Sequence, residues 1–273
     1  MIAVQSGASL AKTLFPVAGP LGTVALRVGF GTLMLCAAFR PWRLRIPARS
    51  WAPIAVYGIA LGTMNMLFYQ ALSRLPLGVT VALEFTGPLS VALLFSRRAI
   101  DFLWVLLAVA GLSILLPVLH LHRGIDPVGA LYALGAGGCW AVYIVSGQKA
   151  GVSHGAQSVA LGSLISAALV LPIGILNAPP TFFSASVVLP GIAIAVLSTA
   201  LPYSLDMVAL TRLPTRTFGV LMSIEPAIGA LTGLLFLGEE LSISQWVAIA
   251  LIILASIGVT ISDGQKIPAP IPD

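Results

Sequence analysis

Apolar residues in this chain are gathered into long blocks separated by short polar joints. Continuous apolar runs cover about 19–39, 51–72, 77–96, 101–119, 128–147, 155–176, 187–209, 217–237 and 244–262, and residues 1–12 make a partial tenth. Each full run approaches the roughly 20 residues that carry an α-helix across a hydrocarbon core of about 30 Å. A β-barrel would need short alternating strands, and these runs do not alternate. The pattern predicts an all-α integral membrane protein of ten transmembrane helices.

The blocks repeat. Ser73-Arg74-Leu75-Pro76 returns as Thr211-Arg212-Leu213-Pro214, and Pro88 meets Pro226 at the same offset. Trp104 meets Trp246 once a short insertion is allowed. The apolar stretches match, but the joints differ in charge. Arg97-Arg98 stands where the second copy has Glu239-Glu240. Arg40, Arg43, Arg45 and Arg49 stand where the second copy has no charge, about 177–186. The first copy is 1–120 and the second 127–262, with a Pro-rich tail at 263–273 predicted to be disordered and cytoplasmic. Five spans per copy force the second copy into the membrane from the opposite side. Two inverted five-helix repeats are the building plan of many secondary transporters.

Composition changes the picture in one respect, by excluding a water-soluble domain. The chain is 58% hydrophobic and 8% charged, against roughly 25% charged in soluble domains. Its mean hydropathy is +1.03. The net charge of +5 belongs to the joints, and nucleic acid is not an expected partner. With the N-terminus in the cytoplasm, Arg40, Arg43, Arg45, Arg49, Arg97, Arg98, Lys149, Arg212, Arg216 and Lys266 fall on the inner side. Lys12, Arg74 and Arg123 fall on the outer side, the positive-inside bias of ten spans. Cys36 and Cys139 lie within spans and form no disulfide framework or metal spacing. No basic segment with a cleavage site marks a signal peptide. Lys12 aligns with Lys149, which places the start of the first span upstream of Met1, so the first helix is expected to be incomplete.

Ionisable residues within spans are the candidate chemistry, because a charge near the bilayer centre costs about 2.5–3.5 kcal/mol on insertion scales. They are Arg27, Glu84, Asp206 and Glu225. Pro88 removes the backbone donor that would serve the Glu84 carbonyl, so a carboxylate and a freed carbonyl coincide there. Arg27 and Glu84 form the principal pair, either as a substrate or proton site or as a structural ion pair. Asn65 and Tyr69 share one face of the third span. Thr199, Tyr203 and Asp206 share one face of the eighth, where Pro202 predicts a bend; Pro226 predicts another beside Glu225. Asn65 aligns with Tyr203, which places polar faces of both copies around a shared central cavity. Gly58-x-x-x-Gly62, Gly229-x-x-x-Gly233 and Gly135-Ala136-Gly137-Gly138 predict close helix crossings. His120 and His122 have no clustered third ligand beyond Asp126, so no metal or other cofactor is expected. No clustered nucleophile and base points to an enzyme.

Several segments carry a resemblance. They are Ser6-Gly7-Ala8-Ser9-Leu10-Ala11-Lys12, Arg40-Pro41-Trp42-Arg43-Leu44-Arg45, Val81-Ala82-Leu83-Glu84-Phe85-Thr86-Gly87-Pro88-Leu89, and Leu197 to Leu205 with Ala209 to Gly219. In these the chain resembles the EamA-type members of the drug/metabolite transporter superfamily, and among them the bacterial inner-membrane exporters of threonine and homoserine. The resemblance implies ten spans, both termini in the cytoplasm, and efflux of small amino acids driven by the proton gradient. Export of another metabolite is the alternative; a channel or a membrane-embedded enzyme ranks behind it. A zwitterionic substrate needs an anion for its ammonium and a cation for its carboxylate, which Glu84 and Arg27 can supply. Its hydroxyl can use Asn65 or Tyr203. Oligomeric state is not legible in the sequence.

Overall fold

A computed structural model describes residues 1–43, 47, 50–94, 100–115, 126–154, 156–205 and 224–263. Its regular structure is helical throughout. Helices α1 (Ile2–Phe39), α2 (Trp51–Leu72), α3 (Leu77–Glu84), α4 (Thr86–Leu94) and α5 (Asp101–Leu115) make the first half. Helices α6 (Pro127–His154), α7 (Ala156–Leu176), α8 (Ala185–Ala195), α9 (Glu225–Leu237) and α10 (Ile243–Asp263) make the second. Among the described residues, five helices are long and apolar enough to cross a bilayer: Ile2–Phe39, Trp51–Leu72, Pro127–Gly147, Gln157–Leu176 and Ala185–Leu205.

The first of these is two legs, not one rod. Gly19 has φ 69° and ψ 161°, outside the helical region, between Pro16 and Pro20. A Cβ on Gly7 would collide with Ser198 Oγ, while Arg27 donates to Ser198 O. A straight helix would set Gly7 and Arg27 about 30 Å apart. The chain therefore folds back at Gly19, a position that only glycine fills without strain. The first leg is longer than the partial helix expected over 1–12. Lys12 consequently sits inside a helix and not in a joint.

Trp51–Leu72 begins and ends where the apolar pattern placed it. Two other elements depart from the pattern. The span expected at 77–96 is broken at Phe85 into α3 and α4. Pro88 has no N–H to return to Glu84 O, and Thr86 Oγ1 bonds Leu83 O across the break. Helix α6 runs past the apolar run to His154. Hydropathy marks where the bilayer ends, whereas a helix stops only where its backbone hydrogen bonding stops.

Helix α2 packs along α6 and α7, and α1 along α7 and α8. Helix α3 packs on α9 and α6, α4 on α6, and α5 on α10. Glycine makes the tightest crossings possible. A Cβ at Gly87 would lie 1.9 Å from Gly137 O, and one at Gly137 would lie 2.6 Å from Glu84 O. Gly58 lies against Ile165 and Gly162 O, Gly62 against Ser166, and Gly229 against Val81. Gly138 has nothing within 4 Å. Without a hydrophobic drive between helices in lipid, such close approach supplies the packing energy.

One end of the bundle is tied by charge. Lys12 Nζ pairs with Glu239 Oε1 and donates to Leu75 O at 2.8 Å. Glu239 Oε2 accepts from Leu77 N at 2.7 Å, so it caps the N-terminus of α3 from another element. Gly238, at φ 63°, closes α9, and the Glu239 N–H returns to Gly233 O. The pair is partly exposed, at 25% and 14%. Lys12→Met is expected to destabilise the detergent-solubilised protein by about 1–3 kcal/mol, less than a fully buried pair loses. Thermal unfolding of Lys12→Met, Glu239→Gln and the double variant checks this.

At the same end, Arg74 Nη1 bonds Asp126 Oδ2 at 2.9 Å, and Asp126 Oδ1 caps α6 through Val128 N at 2.9 Å. The Arg74 hydrogen bond first, and the Val128 N–H second, hold the Asp126 carboxyl below its usual range. A depressed carboxyl contributes stability above its unfolded pKa, about 3.9, and loses it as pH falls through the lower folded value. Asp126→Asn is expected to flatten the acid limb of a stability–pH curve below about pH 4 and to leave its neutral shape unchanged.

Candidate functional site

The centre of the bundle carries a strip of buried polar side chains. Pro202 explains one end of it. Helix α8 passes through a π-helical turn at Val196–Ala200 and continues to Leu205. Pro202 has no N–H for the carbonyl four residues back, Ser198 O. Arg27 Nη2 fills that place at 2.8 Å, and Arg27 Nε donates to Thr199 Oγ1 at 3.1 Å. Gly31 lets the second leg of α1 approach this turn, since a Cβ there would lie 2.5 Å from Thr199 Cγ2. The guanidinium carbon also stands 5.5 Å from the centre of the Tyr69 ring, at cation–π distance. Tyr69 is fully buried against Phe15 and Phe68. Its hydroxyl makes no hydrogen bond of good geometry, and Arg27 is a charged neighbour.

Arg27 therefore spends its hydrogen bonds on α8, and no ion pair joins it to Glu84 among the described residues. Glu84 is 7% exposed and Glu225 6%. Glu84 lies within electrostatic range of Glu225 first and of Arg27 second. Gln5, from the first leg of α1, donates Nε2 to Glu225 Oε1 at 3.1 Å. Buried carboxyl groups from the two halves thus lie within electrostatic range of each other, with Gln5 bonded to the second of them. Pro226 takes the second position of α9, where a missing N–H costs no hydrogen bond.

A small polar cavity adjoins Arg27. It holds about 10 Å³ and is lined by Val28, Thr32, Leu61, Asn65, Ser163, Ser166, Thr199 and Tyr203. Asn65 Nδ2 bonds Leu61 O at 2.8 Å, and Thr32 Oγ1 bonds Ser163 O at 3.1 Å. Asn65, Thr199 and Tyr203 meet here, whereas Tyr69 turns to Arg27. Asp206, Arg97, Arg98, His120, His122, Arg212, Arg216 and the 264–273 tail lie outside the described residues.

Gln5, Thr32, Ser163, Ser166 and Ser198 were not among the residues expected from sequence. Each is an uncharged polar residue inside an apolar run, and its signal was the cost of an unpaired polar group in hydrocarbon. Cys36 and Cys139 are free thiols, each half-buried.

Residues 127–261 match the EamA-like transporter family. The threonine/homoserine exporter RhtA of Escherichia coli K12 is 55% identical over 262 residues, spanning 96% of this chain and 89% of that protein. The chain belongs to the EamA-like transporter family. The RhtA protein of Salmonella typhimurium LT2 is 56% identical over the same length. The uncharacterised transporter YwfM of Bacillus subtilis is 28% identical, covering 85% of this chain and 81% of that one. One solved crystal structure superposes with a TM-score of 0.69 at 24% identity, covering 96% of this chain and 94% of that one, so the fold is shared. The family member described here is a multi-pass membrane transporter and not an enzyme.

Proposed function

We propose that the protein exports small amino acids, threonine and homoserine among them, across the bacterial inner membrane in exchange for protons. The observation that carries this reading is 55% identity over nearly the whole chain to an exporter of those two amino acids. The buried strip supports it. Arg27 serves the substrate carboxylate, Glu84 its ammonium, and Asn65 and Tyr203 its side chain, with Tyr69 fixing the guanidinium plane. Glu84 and Glu225 hold the exchanged proton, because two neighbouring carboxyl groups in a low-dielectric site cannot both stay charged cheaply.

Alternating access rests on ten spans arranged as inverted repeats, 1–120 and 127–262, with the C-terminus in the cytoplasm. The packing pattern supports this arrangement. The two legs of α1, with α3 and α4 taken as one broken rod, bring each half to five rods. Exchanging the halves then turns the α2–α6 contact into that between α8 and the first leg. It likewise turns the α2–α7 contact into that between α8 and the second leg, and the α3–α6 contact into that between α9 and the first leg. The contacts α3–α9 and α5–α10 map onto themselves.

The test is growth. A strain stripped of amino-acid exporters and expressing this chain should gain resistance to inhibitory homoserine and threonine. Confirmed membrane expression without a gain in resistance would refute the reading. Coupling is tested separately with Glu84→Gln in vesicles under an imposed pH gradient. Export should become indifferent to the gradient; export still driven by it would remove Glu84 from the proton path.

A further inference from the structure

We infer that Ser163 and Ser166 of α7 form the pocket that recognises the substrate's side-chain hydroxyl, so that this transporter selects hydroxylated amino acids over aliphatic ones of the same shape. The inference rests on the export reading and assigns its specificity to residues outside the charged strip.

Ser163 and Ser166 are 2% and 1% exposed. They stand three apart on α7 and so share a face. Buried helical serines usually satisfy themselves on the carbonyl one turn back. Ser9 does so with Gln5 O, and Ser146 with Val142 O. Ser163 Oγ and Ser166 Oγ have no hydrogen-bond partner. Both residues line the cavity between the second leg of α1, α2, α7 and α8. A buried hydroxyl without a partner costs about 1–3 kcal/mol, so two on one wall of one cavity call for an occupant that pays them back.

The size and the surroundings define the occupant. About 10 Å³ is near the minimum for one oxygen-sized group. Asn65, Thr32, Thr199 and Tyr203 complete a polar wall, and Val28 and Leu61 supply the apolar remainder. Among the described residues, no charged side chain lines the cavity. A neutral group that both donates and accepts fits these walls; an ammonium or carboxylate would lack a counter-charge. Thr199 links the cavity to the cation, since its Oγ1 accepts from Arg27 Nε. A substrate whose carboxylate is held at Arg27 can thus present a short side-chain hydroxyl to α7. Threonine and homoserine both carry such a group. Valine and norvaline put a methyl in its place and leave the serine oxygens unpartnered. Sites built to bind a hydroxyl reject the analogue without it far more strongly than apolar pockets reject a methylene.

The measurement is competition in proteoliposomes. Unlabelled threonine, homoserine, valine and norvaline compete with labelled threonine flux through the full chain. The wild type should prefer each hydroxylated substrate over its isostere at least about tenfold. In S163A/S166A the preference should fall to within about twofold, with valine inhibition retained or strengthened, which also shows that the variant is folded. The single variants should fall between. Gly138→Ala, away from this cavity and with open space around it, should keep the preference. An unchanged preference in S163A/S166A would overturn the inference, as would an equal loss of all four substrates in that variant and in both single variants. Wild-type flux without hydroxyl preference would overturn this inference alone. Absence of any amino-acid flux in the wild type would overturn the export reading beneath it.

Discussion

Replacing Arg27 with Lys is expected to lower export at least about 30-fold without loss of protein from the membrane. The guanidinium does three things at once, each in a different direction. Its Nε holds Thr199, its Nη2 holds the Ser198 carbonyl, and its face covers Tyr69. An ammonium is a compact point charge on a flexible stem and cannot reproduce a planar fork that also stacks. The Ser198 carbonyl depends on this donor because Pro202 offers none. Loss of the fork therefore releases the π-helical turn as well as the site proposed for the substrate carboxylate. Arg27→Ala should be at least as severe. Labelled threonine efflux, normalised to protein in the membrane, is the measurement. Near-wild-type efflux from Arg27→Lys would show that charge alone suffices.

Gly87→Ala is expected to disrupt folding at a single position. The added methyl would stand 1.9 Å from Gly137 O and 2.5 Å from Gly137 C. Both obstacles are backbone, and no side chain can rotate away. Overpacking typically costs about 1–3 kcal/mol and sometimes more, and a clash of backbone with Cβ belongs at the upper end. The crossing also positions the site, since Gly137 lies against the carbonyl of Glu84. A monodisperse, transport-competent Gly87→Ala protein would contradict this packing. Gly138→Ala is the control, with open space around it, and should shift stability by no more than about 0.5 kcal/mol. Thermal stability by size-exclusion profile compares the two.

Much of this architecture is legible in the sequence because the bilayer imposes a length. Trp51–Leu72 is bounded on both sides by polar joints and needs no tertiary information. The fold at Gly19 is less visible. Pro16, Gly19 and Pro20 are helix-weakening residues, but only the contacts of Gly7 and Arg27 with the same serine show the chain turning back. The far end of α6 is hidden because the residues beyond the apolar run remain helical outside it.

The site divides in the same way. Buried charge is conspicuous in an apolar sequence, so Arg27, Glu84 and Glu225 stand out. Their partners do not, because pairing is tertiary. Sequence spacing favours Arg27 with Glu84, while the structure gives Arg27 to a carbonyl freed by Pro202 and sets Glu84 near Glu225. The relation between Pro88 and the Glu84 carbonyl holds equally for Pro202 and the Ser198 carbonyl. What spacing cannot reveal is which side chain arrives to fill the gap. The serines of α7 are quieter still, since serine is common in membrane helices and its unsatisfied state appears only in three dimensions.

Reconstituted flux tests the central claim most directly. Purified protein in liposomes loaded with labelled homoserine is given an opposing proton gradient. Saturable efflux, faster with the gradient than without it and insensitive to the gradient in Glu84→Gln, is the predicted result. Efflux no faster than from protein-free liposomes, with the protein folded and inserted, would contradict the account.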